Sequence, residues 1–281
     1  MNFYVNFHKR PQKIGSFLTL KSEIQLIAKI ANTEYDVLHF VPGPVRELNE
    51  EFRSIMSDGN SKLDIISVDP DDKSMNIFYP ENILDELNDN TYYSTARLRF
   101  LFRVFETKPS LTWGDETCVS VEKFYSKFDS AFLSFHVGRP FAGQNERDFY
   151  IGWTHLLTKL RKLIDIPFVL LGNDHIPPEI SEISDVYSLS ALGYSIPMQA
   201  CLVAKSLFFL GVASGMCTPA MLSNIPYIII KHPKYHSFEM SKELFESRLP
   251  WALQNQIFKI SSVSTSVLDS WVEEIMCYAR K

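Results

Sequence analysis

Cysteine and glycine are scarce in this chain, and long apolar runs are missing. Its 281 residues include only 4 cysteines and 11 glycines. The cysteines, at positions 118, 201, 217 and 277, form no CxxC pair, so the sequence gives no sign of a zinc site. Cys201 and Cys217 lie in apolar stretches, where a free cysteine usually serves as a small core residue. This usage indicates a reducing compartment rather than a disulfide-bonded fold.

The chain also lacks an excess of basic residues. Its net charge is −5, and residues 1–125 carry 14 Lys and Arg against 19 Asp and Glu. Residues 126–281 carry 14 of each class. Bulk charge therefore argues against a nucleic-acid partner. A small anionic ligand remains open, because it needs only a local cluster of donors.

No segment has the character of a leader or a membrane span. The first residues, MNFYVNFHKRPQK, lack the apolar run of a signal peptide. The longest apolar region, residues 200–213, contains Lys205 and is too short to cross a bilayer. We therefore expect a cytoplasmic protein, and peripheral membrane contact stays open.

The sequence does contain alternating strand and helix patterns over its first half. Hydrophobic residues make up 46% and charged residues 22%, which indicates a folded globular chain. The predicted order is strand Phe3–Phe7, helix Lys21–Ala31, strand Asp36–Val41, helix Val45–Met56 and strand Leu63–Val68. A βαβαβ order predicts a parallel sheet with helices on its faces. Residues 80–125 are less regular, with a helix predicted over Thr91–Glu106.

The second half repeats the alternation more clearly. Strands are predicted over Ala131–Phe135, Pro167–Leu171, Val186–Leu189, Leu207–Leu210 and Pro226–Ile230. Helices are predicted over Glu146–Ile164, Ile196–Ala204, Thr218–Ser223 and Thr265–Tyr278. The sequence thus predicts two α/β domains, residues 1–125 and 126–281.

Candidate binding residues follow the predicted strands, because open α/β sheets bind ligands at the carboxyl ends of their strands. One such stretch is Ala213-Ser214-Gly215-Met216, which leads from a strand into a short helix. Gly215 permits a close backbone approach, and the amides at a helix start attract anions. Ser214 adds a hydroxyl that suits either a helix cap or a phosphate ligand.

Further donors follow the other strands of this half. His136 and Arg139 follow its first strand, and Arg139 could grip a phosphate or carboxylate with two hydrogen bonds. Gly172 ends the next strand. The loop 189–194, with Leu192 and Tyr194, could hold a flat base. The remaining candidates for phosphate or sugar hydroxyls, chosen by position alone, are Lys231 and Glu239.

These stretches together resemble the donor-binding half of a GT-B glycosyltransferase, most like glycosyltransferase family 9, which contains the heptosyltransferases. LGYSIPMQACLVA is similar to the family's TGxTSL-like loop and helix, and Ala213–Met216 to its DSGPMH motif. IGSFLTLKSEIQLIAK, residues 14–29, is similar to its GDxxLxxP loop and following helix. The resemblance implies two Rossmann-like domains facing a cleft, with a nucleotide diphosphate sugar on the second domain and the acceptor on the first.

The chain departs from the family pattern where the family has carboxylates. Ser16 stands in place of the acidic residue after the N-terminal glycine, and Ala213 in place of the Asp before Ser-Gly. Cys217 and Thr218 stand near the position of the family's His. A base must therefore come from elsewhere. His8, at the end of the first strand, is the candidate catalytic base because the ordinary pKa of histidine suits that role.

Two shorter patterns point elsewhere. His136-Val137-Gly138-Arg139 resembles the HxRR-type loop of some fucosyltransferases, although Gly138 stands at the first Arg position. Residues 69–72, DPDD, match the DxD pattern of metal-dependent GT-A enzymes, but we interpret them as an acidic turn. No metal and no cofactor are expected, since the duplicated α/β order favours GT-B.

The resulting prediction is a metal-independent glycosyltransferase of polysaccharide biosynthesis. It would move a sugar from a nucleotide diphosphate sugar to a glycan or lipid-linked acceptor at the cell surface. Two alternatives stay open: a sugar-nucleotide epimerase of similar architecture, and a non-catalytic nucleotide-sugar-binding protein. The missing carboxylate at Ser16 favours the second alternative.

Overall fold

The chain folds into two compact α/β units, Met1–Thr117 and Cys118–Lys281. The structure is a computed structural model that describes residues 2–6, 14–34, 37–41, 50–60, 62–67, 96–128, 131–141, 143–174, 176–231 and 248–279. The division lies inside a helix, Asp115–Tyr125. The sequence places the boundary after residue 125, at the end of that helix.

The first unit is built on a small parallel sheet. Its described elements are β1 (Asn2–Asn6), α1 (Ile14–Ile30), β2 (Val37–Val41), α2 (Glu50–Ser57), β3 (Asp64–Ser67) and α3 (Ala96–Phe105). The strand order is β1-β2-β3, and both pairs are parallel. The βαβαβ prediction for this half is therefore confirmed.

Helix α1 occupies the stretch that the family resemblance compares with a loop followed by a helix. The segment contains no proline, and its large apolar residues recur at helical spacing, so the described chain is helical from Ile14 onward. Phe17, Leu20 and Ile24 are buried on this helix. Ser16 is buried in its first turn, with 7% of its surface exposed.

A buried lysine fastens α1 to its neighbours. The Lys21 ammonium is fully enclosed and donates hydrogen bonds to the carbonyl oxygens of Ile55 at 2.9 Å and Asp58 at 2.6 Å. It also lies 5.2 Å from the centre of the Trp113 ring. Burial lowers the pKa of Lys21 to about 8, against an opposing effect of the Asp58 charge. Lys21 therefore joins α1, the end of α2 and the segment that precedes the boundary helix.

The second unit contains a larger parallel sheet. Its elements, after the boundary helix α4 (Asp115–Tyr125), are β4 (Leu133–His136), α5 (Glu146–Leu163), β5 (Phe168–Leu170), α6 (Pro178–Ser181), β6 (Val186–Ser188), α7 (Ile196–Val203), β7 (Phe208–Val212), a 3₁₀ turn (Gly215–Cys217), α8 (Thr218–Met221), β8 (Tyr227–Lys231), β9 (Gln256–Ile260), α9 (Thr265–Asp269) and α10 (Val272–Ala279). The strand order is β6-β5-β4-β7-β8-β9, and every pair is parallel.

This strand order reverses direction between β4 and β7. From β4 the chain builds outward through β5 and β6, then returns to the other side of β4 and builds outward through β7, β8 and β9. Numbered within the unit, the order is 3-2-1-4-5-6, which is the order of the Rossmann fold. Such a reversal leaves a crevice above the carboxyl ends of the two central strands, where ligands of this fold class bind.

Helices on both faces bury the sheet, and α5 contributes most to one of them. Asn145 caps this helix through its side chain, which accepts a hydrogen bond from the Asp148 amide at 3.1 Å. Its apolar face, which includes Trp153 and Leu156, packs into the main core. Gly152 lets the helix approach the backbone at Ser264, since a Cβ there would lie 3.2 Å from it.

Three elements were not predicted, and one predicted helix is divided. The hydrophobic pattern of the sequence does not predict the boundary helix α4, the short helix α6 or the edge strand β9. In β9, the polar residue Gln256 is buried. The Gln256 amide donates to the carbonyl oxygens of Ser223 and Ile225, which accounts for its burial. The predicted helix Thr265–Tyr278 is broken near Ser270, whose hydroxyl donates to the Val267 carbonyl at 2.6 Å.

No helix in the described parts of the chain combines the length and apolar character needed to cross a bilayer. The longest described helix, α5, carries charged residues at both ends.

The first prediction concerns Lys21. In the unfolded chain its pKa returns to the ordinary value of 10.5, so burial of the ammonium opposes folding below about pH 8. That cost, about 3 kcal/mol for a shift of this size, disappears as the pH rises from about 8 to 10.5. We expect the unfolding free energy of wild type, relative to Lys21→Met, to increase over that window in urea titrations. A difference that stays constant across it would show that Lys21 is charged in the fold throughout.

Candidate functional site

The candidate site lies at the edge of the second sheet where the parallel strands end. The loops that follow β4, β5, β6 and β7 emerge there, and the described end of β8 lies on the same edge. Seven predicted site residues lie in those loops: Arg139, Gly172, Leu192, Tyr194, Ser214, Gly215 and Met216. Two end their strands at this edge: His136 ends β4 and Lys231 ends β8. Their presence at one edge follows from the parallel sheet.

His136 fills the space beneath this edge instead of facing solvent. Only 1% of its surface is exposed. Three glycines surround its side chain: a Cβ would lie 3.1 Å from Nε2 at Gly138, 2.8 Å from Cε1 at Gly172 and 3.0 Å from Cβ at Gly211. Gly138 and Gly172 also have positive φ angles, +66° and +98°. The imidazole therefore occupies room that exists because Gly138 and Gly172 carry no side chain, and Gly211 leaves room for the Cβ of His136.

The protonation of His136 follows from its surroundings. Nδ1 lies 3.0 Å from the carbonyl oxygen of Leu171, which can only accept, so Nδ1 carries the hydrogen. Burial lowers the pKa of His136, against smaller opposing effects of the Leu171 carbonyl and the Asp174 charge. Nε2 of the neutral ring is then an acceptor, and it has no partner among the described residues. This nitrogen is buried, so His136 lies beneath the open part of the edge.

Gln199 ties the β5 and β6 loops together from below. Its side-chain oxygen accepts from the Gly172 amide at 2.8 Å, and its amide donates to Asn173 Oδ1 at 3.2 Å and to the Tyr194 carbonyl at 2.9 Å. Gln199 is fully buried. The predicted binding residues Gly172 and Tyr194 thus share one hydrogen-bonded support.

Arg139 extends outward from the β4 loop. Its Nε donates to Asp174 Oδ1 at 2.6 Å, and its side chain is 79% exposed. It lines a pocket of about 470 Å³ together with Phe141, Gln144 and Tyr150. Neither Ser214 nor Gly215 lines this pocket, so the structure does not bring Arg139 and the β7 turn into one cavity.

The turn after β7 is open to solvent, with Ser214 exposed and Gly215 half-buried. The Met216 amide donates to Ser214 Oγ at 3.1 Å, and the Cys217 amide donates to the Ser214 carbonyl at 3.1 Å. The amide groups of Ser214 and Gly215 donate no hydrogen bond to a described residue. The turn can therefore offer those two amides to an anion, whereas the amide of the buried Met216 is already used.

Cys217 is a core residue, as its apolar surroundings in the sequence predict. Its thiol is buried and lies 2.9 Å from the Val212 carbonyl oxygen. Burial raises the pKa of Cys217 to about 12, although the Lys231 charge opposes the shift. This thiol is therefore not a nucleophile at neutral pH.

Lys231 and the loop after β6 lie on opposite sides of the central strands β4 and β7 along this edge. The Lys231 ammonium lies 4.8 Å from the centre of the Phe258 ring. In the β6 loop, Leu192 is 52% exposed at the tip, whereas the Tyr194 ring packs edge-on against Phe124 with centroids 5.0 Å apart. Leu192 is the large apolar side chain that this loop exposes to solvent.

Three predicted features lie outside the described residues: His8, Glu239 and the acidic stretch 69–72. The described residues contain no cluster of three His, Cys, Asp or Glu side chains that could hold a metal ion.

Solved structures place this architecture among known proteins. It matches E. coli heptosyltransferase WaaC with ADP over 99% of both chains, at 13% identity and a TM-score of 0.53. It matches a family 9 glycosyl transferase from Veillonella parvula over 100% of this chain and 89% of the other, at 14% identity and a TM-score of 0.54. It also matches E. coli ADP-heptose LPS heptosyltransferase II over 100% and 99%, at 11% identity and a TM-score of 0.51.

The chain has the GT-B fold. The predicted fold class is confirmed, and so is the resemblance to family 9 at the level of fold. No family model matches the sequence, and no curated protein matches it either. The likeness at such low identity is therefore one of backbone architecture.

The Arg139 pocket is a better candidate for the ligand site than a larger groove, because of where it lies on the sheet. A larger groove, of about 740 Å³, follows α5 and α6 and is lined by residues such as Arg147, Ile151 and Lys162. It contains no predicted site residue, and it runs along α5 from Tyr150, which also lines the Arg139 pocket, to Lys162 near the other end of that helix. The edge beside β4 and β7 is the stronger candidate because the fold concentrates loops and backbone donors there.

Sequence reasoning missed four residues that organise this edge: Gly138, Asp174, Gln199 and Gly211. The glycines carried a usable signal, because in a chain poor in glycine Gly138 and Gly172 follow β4 and β5, and Gly211 is the last residue but one of β7. Gln199 gave none, since a glutamine inside an apolar helix does not reveal which loop it supports.

The Gly172–His136 contact gives a stability prediction. Gly172→Ala adds a Cβ 2.8 Å from the imidazole at a φ of +98°, so we expect a loss of about 2–4 kcal/mol in unfolding free energy. Gly193→Ala is the matched control, because φ there is +77° and no atom lies within 4 Å of the new Cβ. We expect it to lose about 1 kcal/mol. Equal losses for the two variants would contradict the packing described for His136.

His136 should also make stability depend on pH. Its pKa in the fold lies below the ordinary value of 6.5, so the unfolded chain binds the proton more readily. We expect stability to fall as the pH drops below about 6.5, and His136→Asn to weaken this dependence. Asn keeps a donor for the Leu171 carbonyl and does not titrate. Urea midpoints measured between pH 5 and 7.5 test the difference, and identical pH profiles would refute it.

Proposed function

We propose that the protein is a glycosyltransferase that moves a sugar from a nucleotide diphosphate sugar to a glycan or other cell-surface acceptor. One observation carries the proposal. In a GT-B fold, the reversal of strand order between β4 and β7 lies beside the loop with Arg139 and the open turn at Ser214 and Gly215. This crevice is where the fold class binds nucleotides.

The donor side would use the residues of this edge. The amides of Ser214 and Gly215, which bond to no described residue, and the guanidinium of Arg139 would hold the diphosphate, with Lys231 as a further cation. Leu192 would contact the base. Such donors would stabilise the negative charge that develops on the leaving diphosphate, which is where most of the barrier lowering should lie.

The proposed role of His136 differs from the direct ligand contact that its position after a strand suggests. Because Nε2 is an acceptor buried beneath the edge, we propose that it receives a hydrogen bond from a water molecule beneath the ligand. Its direct effect on the phosphates would be small. Its main contribution would be to hold Gly138 and Gly172 in place.

The acceptor side belongs, in this proposal, to the first unit. His8 remains the proposed base, and Glu239 a proposed ligand of sugar hydroxyls. Displacement at the anomeric carbon would transfer the acceptor proton to His8 as the diphosphate leaves.

A non-catalytic nucleotide-sugar-binding protein is the second candidate. The observation in its favour is Ser16, which is buried in α1 at the position where the family resemblance implies a carboxylate. A serine cannot replace that carboxylate as a base. This candidate shares the donor site and differs in lacking turnover.

A panel of nucleotide sugars separates these candidates. ADP-sugars come first in the panel, because heptosyltransferase WaaC is solved with ADP and with ADP-2-deoxy-2-fluoro heptose. Binding with slow donor hydrolysis supports a transferase, whereas binding without hydrolysis or transfer supports the binding protein. Absence of binding to every member would remove both.

Arg139 gives a quantitative prediction for the donor site. Loss of a charge-assisted contact should weaken binding of the nucleoside diphosphate by roughly tenfold or more in Arg139→Ala. Isothermal titration calorimetry measures the dissociation constant. Lys162→Ala is the control, because it removes one positive charge from the far end of α5 and should change binding little. An unchanged constant in Arg139→Ala would count against the phosphate role.

A further inference from the structure

Arg139 already has an anionic partner in this structure. Its Nε donates to Asp174 Oδ1 at 2.6 Å, and no other hydrogen bond joins Arg139 to a described residue. A guanidinium grips a phosphate through two adjacent nitrogens, and one of its two convenient edges includes Nε. Asp174 therefore occupies an edge that a phosphate could use.

Charges of both signs lie around this contact. Arg139 supplies one positive charge to the pocket, and Asp174 and Glu146 supply negative charge beside it. Burial is the main cause that raises the pKa of the nearby Tyr150 hydroxyl, the two carboxylates raise it further, and Arg139 lowers it. Among the described residues, Lys231 is a further cation at the strand ends, and burial lowers the pKa of His136, which favours its neutral form. An anion approaching Arg139 therefore meets the repulsion of Asp174 as well as the attraction of the guanidinium.

The contact is also weak enough to exchange. The Arg139 side chain is 79% exposed and the Asp174 side chain 26%, and ion pairs as exposed as this are broken at little cost. A single hydrogen bond on an exposed arginine does not fix the guanidinium in one orientation. Asp174 therefore affects a ligand mainly through its charge and through the nitrogen it occupies.

We propose that Asp174 is an internal competitor for Arg139, so that a ligand phosphate must replace or share this carboxylate on one guanidinium. The proposal rests on the proposed function, because it requires a phosphorylated ligand at this edge. It makes Asp174 a determinant of affinity: only a group that attracts Arg139 more strongly than a carboxylate gains the contact. A diphosphate meets that condition better than a singly charged group.

Asp174→Asn tests the proposal, since it removes the charge and keeps the shape and one acceptor oxygen. We expect the dissociation constant to fall roughly two- to fivefold, as expected for release of an exposed ion pair. The probe is whichever of ADP, UDP and GDP binds wild type most tightly by calorimetry at low salt. Asp185→Asn is the matched control, because Asp185 pairs with Arg161 at 2.8 Å near the opposite end of the sheet.

A double-mutant cycle completes the experiment. If the two residues compete as proposed, the gain from Asp174→Asn disappears when Arg139 is already Ala. A gain of the same size in that background would overturn the proposal, because it would reflect the general field of Asp174. Unchanged or weaker binding in Asp174→Asn would also overturn it and would make Asp174 a support for Arg139, leaving the proposed function intact. Failure of wild type to bind any of the three nucleotides would instead remove the proposed function, and this proposal with it.

Discussion

The parallel sheet of the second unit is the constraint on which the candidate site depends. All six strands end at one edge, and the order reverses between β4 and β7, so the chain following those two strands diverges. Residues as distant in sequence as Arg139 and Ser214 are thereby brought to the same edge. Neither loop has the length to build a site alone. The sheet converts two short loops into neighbouring parts of one surface.

Histidine packing is the second constraint, and it acts directly beneath that surface. The His136 side chain packs against Gly138 and Gly172, which follow β4 and β5, and against Gly211 within β7. The Leu171 carbonyl fixes its tautomer. A side chain that appears in the sequence to be a ligand for substrate is thus also part of the foundation of the loops, which explains why it is buried.

Much of this fold is predictable from the sequence because parallel strands buried on both faces read as short apolar runs. PYIII and LFFL predict β8 and β7 for that reason, and their helices follow from spacing. The strand β9 is not predictable in the same way, since buried Gln256 depends on carbonyls of Ser223 and Ile225 that lie about thirty residues away. Distant partners of this kind leave no periodic signal.

The candidate site likewise contains some residues that the sequence predicts and others that it does not. Arg139, Ser214 and Gly215 follow apolar strands, so the strand-end rule finds them. Asp174 and Gln199 are recognisable only through their partners: Asp174 by its contact with Arg139, and Gln199 by its three hydrogen bonds to the β5 and β6 loops. The partners in the Arg139–Asp174 and Gln199–Asn173 hydrogen bonds are 35 and 26 positions apart in the sequence. The fold brings them together, so the local sequence around either residue does not predict the contact.

The Gln199 bonds have a mechanical consequence. Since one buried amide clamps Gly172, Asn173 and Tyr194 at once, the two loops cannot hinge apart independently. A substitution at the projecting tip around Leu192, by contrast, disturbs none of these three hydrogen bonds. The scaffold is thereby insulated from the part of the surface that is free to diversify.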